Sequence, residues 1–279
     1  MDFTLAGTYK KILPAFVCLF LSASCLQPRA QPVLEPGSQM TSPKDGMVLI
    51  YIPDGSFVMG SAASDQLDEK PEQQVDLDGF WIDQTEVTNG MYAACIADNA
   101  CTLPSGTRSH NRDEYFGVAE FDRHPAIYIS WGQATVYCQW AGRRLPTEAE
   151  WEKAGRGTEA REYPWGNEPP NPDLLNFDRA IDDTTVVGTY PAGASFYGAL
   201  DMAGNVSEWV SSVYSPYPFS AGDGREEPGS FESRVVRGGS WLDGAAVTRS
   251  AYRGSNGPSG SNDSIGFRCA MARVGSPQQ

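Results

Sequence analysis

The chain has 279 residues, enough for one large domain or two small ones, and a hydrophobic content of 41% is sufficient for a core. Its 29 Gly and 20 Pro require many turns and long ordered loops, which seven Trp and twelve Tyr can anchor. A net charge of −14 without any run of Lys or Arg excludes a phosphate-neutralising surface and is repelled by anionic lipid headgroups, so no nucleic-acid partner is expected.

The first residues read as a targeting segment. Lys10 and Lys11 precede an apolar run from Ile12 to Ala23, too short for a permanent membrane span. The run ends in Leu21-Ser22-Ala23-Ser24-Cys25, which resembles a bacterial lipoprotein signal. That resemblance implies that residues 1–24 are a signal peptide and that Cys25 becomes the lipidated first residue. Ordinary cleavage near Ala23 or Ser24 is the alternative, and either route exports the chain to the periplasmic or cell-surface side. Residues 25–45 are rich in Pro, Gln and Ser with few large apolar groups, so they are expected to form a lipid-anchored disordered linker. The membrane would then be touched only through the lipid.

Met47 to Met59 reads as two strands joined at Pro53-Asp54-Gly55, and Val75 to Ile82 as one further strand. Thr88 is placed to cap a helix running to Ala97, and Asn99 to Arg123 forms an excursion loop. Ser130 caps a second helix over Trp131 to Ala141, which Gly142 stops. Thr147-Glu148-Ala149-Glu150 is a capping box opening a third helix that ends near Gly157. Loop and short strand follow from Asn176 to Tyr190, and the Pro- and Gly-rich stretch 214–233 is a second excursion. No boundary divides residues 46–273, which read as one domain with a short tail at 274–279. With Cys18 removed and Cys25 as anchor, Cys95, Cys101, Cys138 and Cys269 remain, an even number in an oxidising compartment with three possible pairings. Cys95 and Cys101 are close enough in sequence to staple a small loop.

Three phrases carry more information: RLPTEAEW at 144–151, DMAGNVSEW at 201–209, and the long segment VVRGGSWLDGAAVTRSAYRGSNGPSGSNDSIGFRCA at 235–270. Together with FWIDQTEVTNGMY they resemble the formylglycine-generating enzyme (sulfatase-modifying factor) family. The resemblance implies an α+β, C-type-lectin-like formylglycine-generating-enzyme fold, loop-rich with short strands and two or three helices. It pairs Cys138 with Cys269. Catalytic members hold Cu(I) between two cysteines just after the GGS-aromatic turn, and soft thiolates suit that ion. The matching positions here are Asp243 and Thr248, and no Cys lies between Trp241 and Cys269. Copper is therefore not expected.

Asn205, the Val206 carbonyl and Glu208 lie close enough to curl oxygens around calcium, as do Asn176, the Phe177 carbonyl and Asp182 or Asp183. Both regions hold calcium in some family members; the alternative is that these side chains satisfy turn amides. His110 and His124 are the only histidines, and no HExxH, paired CxxC, Walker loop or GxGxxG occurs. A binding cleft is expected to be lined by Ser240, Trp241, Asp243, Thr248, Arg249 and Arg253, with Trp241 as an apolar platform. The resulting expectation is a noncatalytic module of the cell envelope, binding a peptide, a glycan or an envelope protein. The competing expectation is an oxygen-dependent oxidoreductase of the same superfamily using other metal ligands, Asp243 among the candidates.

Overall fold

The computed structural model describes residues 1–4, 7 and 34–273; the apolar run from Ile12 to Ala23, Cys25 and the tail 274–279 lie outside the described residues. The fold opens with strands Gln39–Thr41 (β1), Val48–Ile52 (β2), Gly55–Met59 (β3), Gln73–Leu77 (β4) and Phe80–Asp83 (β5). Helices Asn89–Ala97 (α1), Trp131–Trp140 (α2) and Glu148–Arg156 (α3) follow. The chain closes with Ser207–Val213 (β6), Arg234–Arg237 (β7), Gly254–Asn256 (β8), Ile265–Phe267 (β9) and Ala270–Ala272 (β10). Among the described residues, three α-helices, short strands and long ordered loops make this an α+β fold.

The strands form a four-stranded sheet in the order β1-β2-β5-β10, a β3-β4 pair and a second four-stranded sheet in the order β8-β7-β6-β9. All pairings are antiparallel except β6 with β9, where Ser207, Glu208 and Trp209 lie opposite Ile265, Gly266 and Phe267. That parallel contact brings the DMAGNVSEW phrase against the GFRC phrase.

The helices begin where their caps dictate. The Thr88 hydroxyl accepts from the Met91 amide, and Ser130 and Thr147 each form a full capping box, with Gln133 and Glu150. Helix α2 buries Tyr137 against Tyr92 of α1 (ring centroids 5.7 Å apart, stacked) and against the edge of Phe267 (5.4 Å). The Cys138–Cys269 disulfide fixes α2 to the chain just after β9, and Cys95–Cys101 closes the loop after α1.

Three expectations are corrected. The single strand expected over Val75 to Ile82 is two, β4 and β5, which turn apart at Asp78-Gly79 to serve different sheets. No strand forms between Asn176 and Tyr190. The linker expected over 25–45 is ordered from residue 34 onward. Here β1 pairs with β2, Gly37 N donates to Tyr51 O at 3.0 Å, and Asp45 is ion-paired with Arg143. Asp45 also accepts from the Tyr137 hydroxyl at 2.8 Å. Pairing an otherwise polar edge strand and neutralising a buried carboxylate gives this stretch a reason to order that its composition does not reveal.

Helix α3 is buried along its whole length. Its acidic residues are matched by guanidinium groups: Glu148 with Arg253 and Glu152 with Arg237 from distant segments, Glu152 also with Arg156 of the same helix, and Glu150 with Arg144 just before it. Lys153, also buried, donates to the Pro53 and Gly55 carbonyls at 2.8 and 2.7 Å, so each charge of the helix has a polar partner, as an uncompensated buried charge costs several kcal/mol.

Candidate functional site

Strand β7 ends in the Gly238-Gly239 turn, where both residues take left-handed φ angles of +91° and +67°. A Cβ on Gly239 would lie 3.1 Å from both the Thr248 methyl carbon and the Val247 carbonyl oxygen, so the turn requires a residue without one. The segment that follows folds back on itself, and its polar groups satisfy one another.

The six residues expected to line a cleft are brought together on this segment, but they mostly face inward. Ser240 is 1% exposed, and its amide and hydroxyl both donate to Asp243 Oδ2, at 2.9 and 2.7 Å. Thr248 is fully buried and its hydroxyl donates to the Ala245 carbonyl at 3.1 Å. Arg249 grips Glu69 with two bonds of 2.9 and 2.6 Å, and that bond holds its guanidinium above the ordinary arginine range. Arg253 grips Glu148 at 2.6 and 2.9 Å and lies over Tyr217, 4.2 Å from the ring centroid. Trp241 is 1% exposed and its indole N–H donates to the Asp263 carbonyl at 3.1 Å. The expectation of an open groove with Trp241 as its platform is therefore corrected: buried ion pairs and a closed turn use the groups that would have lined it.

What reaches solvent is a rim of which only Asp263 lies within the quoted motifs. The His110 ring lies on Trp241 (centroids 4.8 Å apart), between Asp182 (Nε2 to Oδ2 3.8 Å) and Asp263 (Nδ1 to Oδ2 3.6 Å). The Arg179 guanidinium lies 5.4 Å from the Trp241 ring centroid and pairs with Asp182 at 2.9 Å. The side chains of Arg179, Asp182 and His110 are 54%, 44% and 37% exposed. Beside them Gly244, Ala245 and Ala246 present a small-residue tip to solvent. These rim residues come from three separate loops, so no local spacing announces them. The other histidine, His124, is buried against Tyr115 and Phe121; burial, with Arg112 nearby, pushes it down to about 4, so it is neutral at physiological pH. A separate hollow of about 210 Å³ lies within the loop from Phe219 to Pro228, and none of the six expected cleft residues lines it.

Most of the oxygens expected in the two calcium cages are already hydrogen-bonded within the protein. Glu208 accepts from Trp151 Nε1 at 2.8 Å and from Arg268 at two bonds of 2.7 Å. The Asn205 side-chain oxygen accepts from the Thr185 amide at 2.9 Å and from Asn176 Nδ2 at 3.3 Å. The Phe177 carbonyl accepts from the Ala180 amide, and both Asp183 oxygens are occupied by protein donors. The Asn176 side-chain oxygen alone among these is buried without a partner. Calcium takes six to eight oxygens, so the residues do not fit the ion as expected. Among the described residues no group of three or more His, Cys, Asp or Glu side chains is arranged to hold a metal. Nor is any described helix long and apolar enough to cross a membrane.

The profile of the sulfatase-modifying factor enzyme 1-like domain matches residues 34–273. The formylglycine-generating enzyme of Streptomyces coelicolor is 33% identical over 301 residues, spanning 87% of this chain and 95% of that protein. The serine/threonine-protein kinase pkn1 of Chlamydia pneumoniae is 34% identical across 91% of this chain, which spans only 40% of the kinase's length. Among solved structures, PvdO from Pseudomonas aeruginosa superposes with a TM-score of 0.73 at 27% identity, covering 86% of this chain and all of that one. The architecture is thus the C-type-lectin-like one that the motifs implied.

Proposed function

This chain belongs to the sulfatase-modifying factor enzyme 1-like family, and from that premise we propose that it is a noncatalytic binding module of the cell envelope. One observation carries the reading. Where the family resemblance places the copper-holding cysteines, this chain has Asp243, which accepts both Ser240 donors, and Thr248, which is buried and bonded to Ala245. A hydroxyl and a carboxylate are poor substitutes for two soft thiolates. The ligand surface is the rim of His110, Arg179, Asp182 and Asp263 with the tip at 244–246. It offers hydrogen-bonding groups to a peptide or glycan, or a protein carrying one. Two disulfides accord with an oxidising compartment, and a lipid on Cys25 would hold the module at a membrane.

The test is binding of the disulfide-bonded chain to peptide and glycan arrays, in parallel with a His110→Ala/Arg179→Ala variant. Selective binding that the variant loses, with its melting temperature unchanged, is the expected result. Binding that survives both substitutions would move the ligand elsewhere on the surface. The 33% identity to a formylglycine-generating enzyme favours a second reading, an oxidoreductase with ligands other than thiolates. Stoichiometric copper or iron in the purified protein would favour that reading over the first.

A further inference from the structure

The family resemblance leads one to expect calcium to close the loop at 176–185, yet four consecutive residues of the first excursion loop are already seated there. The Ser109 hydroxyl and the Asn111 amide donate to Asp183 Oδ2 at 2.7 and 2.9 Å, and Arg112 Nη1 meets the same oxygen at 2.9 Å. Asn111 Nδ2 donates to the Asp182 carbonyl at 2.8 Å, and Arg112 Nη2 to the Thr184 carbonyl at 3.3 Å. His110 faces the Asp182 carboxylate at 3.8 Å. From the other side, the Thr184 amide donates to Asp183 Oδ1 at 2.7 Å and Asn176 Nδ2 to the Asp183 carbonyl at 2.8 Å. Asp183 is 2% exposed, so its charge needs a counter-charge, and Arg112 supplies one that is fixed in place. The Arg112 guanidinium is itself held over the Phe121 ring, 5.0 Å from its centroid.

We propose that Ser109–Arg112 is a built-in clamp that replaces a calcium ion at the 176–185 loop, with the Arg112 guanidinium supplying the charge and the amide and hydroxyl donors filling the carboxylate. The loop it closes carries Arg179 and Asp182, so the clamp also positions half of the proposed ligand rim. It follows that the domain keeps its shape in calcium-free surroundings, where a calcium-held loop would open.

The experiment is thermal unfolding of the full, disulfide-bonded chain in millimolar calcium and in chelator, for the wild type and for Arg112→Gln, Asp183→Asn and the double variant. The wild type is expected to melt at the same temperature in both media. A loop held by calcium would shift by about 5–10 °C at a hundredfold excess of ion over its Kd. Arg112→Gln is expected to lower the melting temperature by about 5 °C or more, and the double variant to fall little below Asp183→Asn, as two halves of one contact should. A calcium-dependent rise in the wild type, or an Arg112→Gln variant that melts like the wild type, overturns the proposal. Should the variants not fold, the wild-type comparison in calcium and chelator decides by itself.

Discussion

Glu148 has no exposed surface, yet three guanidinium groups face it: Arg253 at 2.6 Å, Arg237 at 3.6 Å and Arg225 at 4.0 Å. Residues of this kind explain why the arginines after the GGS turn face inward, Arg253 onto Glu148 and Arg249 onto Glu69. Their charge is committed to the interior, where removing either partner would strand the other. Asp83 is the opposite case, a buried carboxylate with incomplete compensation. One oxygen accepts from the Cys269 amide at 2.9 Å and the other has no hydrogen-bond partner, with Arg143 Nε 3.3 Å away. Burial pushes Asp83 up to about 7, against the pull of Arg143. The folded chain therefore holds a proton that the unfolded chain releases near its ordinary value of 3.8. The stability this group contributes is complete below the unfolded value and is lost as pH rises through about 7. Denaturant unfolding of wild type and Asp83→Asn across that window should show the wild type losing stability relative to the variant as the pH increases. A difference with the opposite slope would mean that Asp83 is ionised in the fold.

At the scale of elements, what was legible was what local chemistry fixes. Thr88, Ser130 and Thr147 each satisfy amides within three residues of themselves, so three helix starts could be read directly from the chain. The short disulfide at Cys95–Cys101 is local in the same sense. Longer-range facts were hidden. Helix α3 looks like a surface helix, with three Glu, one Lys and one Arg in nine residues, because the arginines that neutralise it lie at 237 and 253. Strands β4 and β5 look like one because nothing in their side chains says that they pair with different neighbours. The strand β1 was obscured by the Pro- and Gln-rich composition around it. Thr147→Ala tests the local part: losing the hydroxyl that accepts the Glu150 amide at 3.1 Å should cost about 1 kcal/mol in chemical denaturation. A change within error would show that the interior ion pairs alone fix where α3 begins.

Across the whole molecule, the motifs of 144–151, 201–209 and 235–270 converge because β6 and β9 pair in parallel and the Cys138–Cys269 bridge fixes α2 beside them. The resemblance conveyed the overall fold well, in agreement with the profile match over residues 34–273. The candidate surface was conveyed poorly, since His110, Arg179, Asp182 and Asp263 come from loops that no spacing rule connects. The functional reading rests on the chemistry that the scaffold presents beyond its GGS turn, an acid and an alcohol where a thiolate pair would be needed. The most direct test is dioxygen uptake by the disulfide-bonded chain, supplied with copper and a CxPxR-containing thiol peptide. Uptake no faster than that of the peptide and copper without protein is predicted; protein-dependent uptake with conversion of the peptide cysteine to an aldehyde would contradict the account.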